Sequence, residues 1–131
     1  MIALNYLWRR EADTGREEAR YPRPCVIVLA LETRAVGPNT VVTVPVTHSA
    51  PRDSTSAIEL PPSVKKSLGL DDLPSWIVTD EANIFQWPGH DLARRRDGTV
   101  EYGFLPPGLF ARVRSSVEDT IKQGRLKRVL R

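Results

Sequence analysis

Apolar positions fall in short clusters along the chain, most of them with the spacing and β-branched character of strands. Residues 3–8 are apolar and aromatic and predict a first short strand, whereas residues 9–22 carry little hydrophobicity and predict a long loop. Residues 24–31 form a continuous apolar run, the pattern of a strand buried on both faces. Gly37-Pro38-Asn39 supplies turn chemistry, and residues 40–47 form a second strongly β run, so the two runs are expected to pair as a hairpin. Pro45 cannot donate to a ladder and marks an edge or a bulge in that strand. Further short strands are predicted over 57–60, 76–79, 83–87 and, after the Asp97-Gly98 turn signal, 99–104.

Helical spacing is confined to two places. Pro61-Pro62-Ser63, then Val64 and Leu68 four apart, then Gly69, predict a two-turn helix. Pro106-Pro107 opens a longer one whose Leu109, Phe110, Val113, Val117 and Ile121 share a stripe, with Gly124 closing it. Six or seven short strands with these helices give a mainly β fold, and a closed or nearly closed small barrel removes exposed edges. There are no internal repeats and no domain boundary, so residues 1–131 are expected to form one domain.

Composition narrows the class of protein. No apolar run approaches a membrane span, and the stretch after Met1 is short and lacks the basic flank of a signal peptide. A single cysteine excludes a disulfide framework and favours a reducing, cytoplasmic compartment. Cys25, His48 and His90 are too few for a four-ligand zinc site, and no metal or cofactor is expected. The formal charge is +3. Seven basic residues against Glu118 and Asp119 between positions 111 and 131 put +5 on the C-terminal end. That end, with its tail at about 125–131, reads as a solvated helix with a frayed cationic extension or as a surface for polyphosphate.

Standard catalytic motifs are absent: there is no Gly-rich phosphate loop, nucleophile elbow or Cys-x-x-Cys. Two positions stand out by local geometry. Arg23 precedes Pro24, which biases it to extended backbone at the mouth of a buried strand. Thr47 ends the neighbouring run. If the runs pair, a guanidinium and a hydroxyl meet at one rim, a combination suited to a phosphate; the plain alternative is a surface ion pair and a threonine chosen for β propensity. His48 is the adjacent titratable group, and it shares a site with Thr47 only if the strand ends or bulges there. Cys25, inside an apolar strand, reads as a small buried hydrophobe. Asp80, Glu81 and Asn83 could read base edges or form a polar turn. Arg9, Arg10, Arg16 and Arg20, interleaved with acidic residues, read as an exposed, mobile loop rather than a phosphate track, and are the basic side chains offered as RNA contacts.

Several segments then resemble one family: Arg23-Pro24-Cys25-Val26-Ile27-Val28-Leu29, Val42-Thr43-Val44-Pro45-Val46-Thr47-His48-Ser49, Ala57-Ile58-Glu59-Leu60 and Ser75-Trp76-Ile77-Val78-Thr79-Asp80-Glu81. Their order is similar to that of PemK/MazF-type toxins, and Tyr6-Leu7-Trp8-Arg9-Arg10-Glu11 and Tyr102-Gly103-Phe104-Leu105-Pro106-Pro107 resemble a divergent PemK-like branch. The resemblance implies a small SH3-like barrel, homodimeric, belonging to a type II toxin–antitoxin system. It implies a metal-independent endoribonuclease that yields 2′,3′-cyclic phosphate and 5′-hydroxyl ends, with an RNA substrate and a cognate antitoxin as partners. Arg23 and Thr47 match the family's catalytic pair, and His48 is the group offered to take the 2′-proton. Where the family often carries an arginine, this chain has Asn83. The alternative is a barrel of the same kind that binds RNA or poisons a protein such as a topoisomerase without cutting RNA.

Overall fold

The structure, a computed structural model, describes residues 1–15, 22–33, 37–87, 92–95 and 97–131. Its elements in chain order are β1 (Ile2–Leu4), α1 (Arg9–Asp13), β2 (Arg23–Thr33), β3 (Gly37–Thr47), β4 (Ala57–Glu59), α2 (Pro62–Ser67), β5 (Trp76–Val78), β6 (Glu81–Gln86), α3 (Pro107–Lys122) and β7 (Lys127–Leu130).

The fold is mainly β, with seven strands in one sheet. β2 and β3 pair antiparallel as a long hairpin, with a bulge between Ile27 and Leu29. The connection between them lies outside the described residues. Alternation along both strands sends their side chains to opposite faces. Val26, Val28, Val42, Val44 and Val46 pack with Val113 and Val117 of α3 on one face. Cys25 and Val41 pack with Leu4, Tyr6 and Phe85 on the other. The continuous apolar run of β2 is therefore buried on both sides, as its pattern predicts.

β3 is central, not an edge, and Pro45 explains how. Along its second side β3 pairs with β6 through residues 40–43 and with β5 through Val46 and Thr47. Pro45, which has no N–H to give, pairs with Cys25 on the first side and sits where the second side changes partner. The pairing order β1-β2-β3-β5-β4, with β6 joined to β3 and β7 to β6, does not close among the described residues. The sheet is thus an open relative of the expected barrel.

Four expectations are corrected. The first strand stops at Leu4 and not at Trp8, because Leu7 leaves the sheet to bond the side chain of Asn83. Part of the predicted 9–22 loop is the helix α1, which buries no residue and so has no apolar stripe to announce it. The tail is no frayed extension: β7 runs parallel to β6, pairing Lys127 with Glu81 and Leu130 with Ile84, and buries Val129. The predicted strand over 99–104 reduces to a single bridge between Ile2 and Glu101. α3 forms as expected, with Leu109, Val113, Val117 and Thr120 facing inward. Among the described residues no helix is long and apolar enough to cross a membrane.

Candidate functional site

The β2–β3 register brings the two rim residues together. Cys25 lies opposite Pro45 and Val26 opposite Val44; carried two residues further along each strand, that register would set Arg23 across from Thr47, and both residues line the same hollows. Two hollows meet at this rim. One, of about 240 Å³, is lined by Arg23, Thr47, His48, Lys65, Asp71 and Ser75 among others. The second, of about 400 Å³, shares Arg23, Thr47 and His48 and adds Trp8, Arg10 and Ser49.

Arg23 is half-buried. Its guanidinium carbon lies 4.7 Å from the centre of the Trp8 ring, and Nη1 makes a long 3.5 Å contact with the Val46 carbonyl. Among the described residues its buried Nε has no hydrogen-bond partner. Burial, first, and the neighbouring Arg10 lower its pKa from the usual high value, yet a guanidinium remains cationic at neutral pH. Arg10 stands 4.8 Å from the same indole. Two cations around one ring make an electropositive rim suited to an oxyanion.

Thr47 ends its strand through its own side chain: Oγ1 accepts the Ser49 N–H at 3.1 Å, folding the backbone over. That bond uses a lone pair and leaves the hydroxyl hydrogen to be donated. Because the strand ends there, His48 also borders the hollow, which an unbroken strand would prevent.

His48 is part of a closed ring of side chains. Nε2 lies 3.0 Å from Asp71 Oδ2, and Asp71 Oδ1 accepts from Lys65 Nζ at 2.8 Å. Lys65 Nζ donates to Ser75 Oγ at 2.8 Å, and Ser75 Oγ lies 3.1 Å from His48 Nδ1. The Pro74 carbonyl stands 3.1 Å from the same Nδ1, and Lys65 also donates to the Leu73 carbonyl. Lys65 is only 4% exposed, an unusual depth for an ammonium, and its acceptors are what make that depth tolerable. The Lys65 bond, more than any other influence, holds the Asp71 carboxyl below the ordinary carboxylate range. Lys65, Asp71 and Ser75 escaped sequence reasoning because nothing in the pattern separates Lys65 from Lys66, and Asp71 and Ser75 lie in a loop.

The remaining candidates are placed elsewhere. Asn83 is fully buried; its amide accepts the Leu7 N–H at 2.9 Å and donates to the Leu7 carbonyl at 2.7 Å. Glu81 is 8% exposed and accepts from the Tyr6 hydroxyl and the Arg9 N–H. Neither side chain is free to read a base, which corrects that expectation. Asp80 is partly exposed and, like Glu81 and Asn83, lines neither hollow. The Arg9 guanidinium is engaged with Asp13 and the Arg128 carbonyl, clasping α1 to β7. Arg16, Arg20 and His90 lie outside the described residues. Cys25 is fully buried, which pushes its thiol up, out of reach of ordinary reagents.

Comparison with curated proteins and with solved structures finds no match. Comparison with protein-family models matches residues 6–119 to the PemK-like, MazF-like toxin of type II toxin–antitoxin systems, a span that holds both strands of the rim and the whole His48 ring; the chain belongs to that family.

Proposed function

We propose that this toxin is a metal-independent endoribonuclease that cuts single-stranded RNA through the ribose 2′-hydroxyl. The observation that carries the reading is that Arg23, Thr47 and His48 line one hollow at the end of the β2–β3 hairpin. In the reaction the 2′-oxygen bonds to the adjacent phosphorus and the bond from phosphorus to the 5′-oxygen breaks. The products are a 2′,3′-cyclic phosphate and a 5′-hydroxyl, chemistry that DNA cannot follow. Arg23 stabilises the charge that builds on the phosphorane, Thr47 donates to a nonbridging oxygen, and His48 receives the 2′-proton.

Arg10, beside Trp8, is positioned to hold the strand entering the rim, and Trp8 gives it a flat apolar neighbour. Arg16 and Arg20 belong to the same basic segment as Arg10, on sequence grounds. Family membership implies an antitoxin partner. A homodimer is supported by Phe104, 96% exposed beside an apolar hollow of about 710 Å³ that Met1, Ile27, Trp87 and Phe110 help to line. The reducing compartment that a lone buried thiol favours is the cytoplasm.

The reading is tested by incubating purified protein with mixed-sequence RNA in EDTA and identifying the fragment ends. Cyclic phosphates are expected from the parent protein, and a loss on the order of 10²–10³-fold is expected in Arg23→Ala. Intact RNA from the parent protein would refute it.

A further inference from the structure

We propose that Ser75 is a further catalytic residue of this site, passing the 2′-proton to His48 in a Ser75–His48–Asp71 relay that Lys65 anchors. The inference rests on the nuclease reading above and extends it to residues outside the Arg23–Thr47 pair.

Neither ring nitrogen of His48 is open to a substrate, because Asp71 Oδ2 holds Nε2 at 3.0 Å while Ser75 Oγ and the Pro74 carbonyl both stand 3.1 Å from Nδ1. A direct transfer to His48 would require one of these bonds to break. Transfer through Ser75 requires none to break, because Ser75 is both a ring neighbour and a wall of the hollow that holds Arg23 and Thr47.

The partners around Nδ1 fit two protonation states without any movement of the ring. With a lone pair on Nδ1, the Ser75 hydroxyl donates to it. With a proton on Nδ1, the Pro74 carbonyl accepts, and the Ser75 hydroxyl turns to the Leu73 carbonyl 3.1 Å away. Nε2–H stays on Asp71 throughout. In the step itself the substrate 2′-proton moves to Ser75 Oγ and the former Ser75 proton moves to Nδ1. The 2′-oxygen then bonds to phosphorus, and the departing 5′-oxygen takes a proton from water.

Lys65 serves this transfer in two ways. Its N–H on Ser75 Oγ at 2.8 Å stabilises negative charge arising there while the protons are in flight. Its other contact holds the Asp71 carboxylate that faces the imidazole as it becomes cationic.

The test measures cleavage of single-stranded RNA in EDTA by the parent protein and by Ser75→Ala, His48→Ala and the double variant. Thermal melting is followed in parallel; His48 is half exposed, so its replacement does not empty the core. Each single variant is expected to lose about 10²–10⁴-fold in kcat with little change in KM. The double variant is expected to be no worse than either, as for residues acting as one unit. The parent rate in mixed H₂O and D₂O is expected to curve as for two protons in flight, and to lose that curvature in Ser75→Ala; a merely structural serine would leave it unchanged. Undiminished cutting by Ser75→Ala, or losses that multiply in the double variant, overturn the relay alone. A parent protein that cuts no RNA overturns the nuclease reading beneath it.

Discussion

The Asn83 amide does the work of a strand neighbour. Its carbonyl accepts from Leu7 N–H and its NH₂ donates to Leu7 C=O, so one side chain satisfies the backbone of a segment that has just left the sheet. Arg131 Nη1 adds a bond to the same Oδ1 at 2.9 Å, tying the last residue of the chain to the interior. An arginine could not fill this place, having no acceptor to offer Leu7. Asn83→Ala is therefore expected to orphan both Leu7 groups at a cost of about 1–3 kcal/mol each, read as a lower urea midpoint, while RNA cleavage per folded molecule is unchanged. An unaltered midpoint would contradict this role. At this scale Arg23, Thr47 and Cys25 were legible from the sequence, since a Pro neighbour, a strand end and an apolar run are all local signals. The fate of Asn83 and Glu81 was not, because it depends on residues 6–9, more than seventy positions away.

Among the elements, the two buried on both faces announced themselves and the two built from charge did not. β2, β3 and the apolar stripe of α3 follow from periodicity alone. α1 is marked by the surface pair Arg9–Asp13, and a contact of that kind adds a few tenths of a kcal/mol. β7 reads as a basic tail because only Val129 points inward, while Lys127 and Arg128 remain exposed. Lysine and arginine on an outer strand also discourage pairing with a second sheet. The Arg9 clasp on the Arg128 carbonyl makes α1 and β7 one unit. Deleting residues 125–131 should lower the melting temperature, with about 1.5–3 kcal/mol lost from Val129 burial alone. The same melting temperature after deletion would mean that β7 adds nothing to the fold.

For the whole molecule, the open sheet follows from how β3 divides its second side between β6 and β5, with Pro45 at the division. That division lets the strand end at Thr47 beside the start of β2, and the loop after α2 then supplies Asp71 and Ser75 to the same rim. The sequence pattern suggested a barrel, yet closure depends on pairings between distant edges that no local signal encodes. The exposed Phe104 face belongs to this scale too: if the proposed homodimer forms through it, Phe104→Lys shifts the protein from dimer to monomer in sedimentation, and an unchanged mass contradicts that contact. In the proposed reaction Arg23 and Thr47 act together on a phosphate activated by its own ribose. The most direct measurement is cleavage, in EDTA, of an RNA and of the same strand with a single 2′-deoxy sugar at the cut position, by the parent protein and by Arg23→Ala and Thr47→Ala. The expected result is cyclic-phosphate ends from the all-ribose strand with the parent protein, none at the deoxy position, and strong loss in both variants. Cutting at the deoxy position, or full activity in either variant, would contradict it.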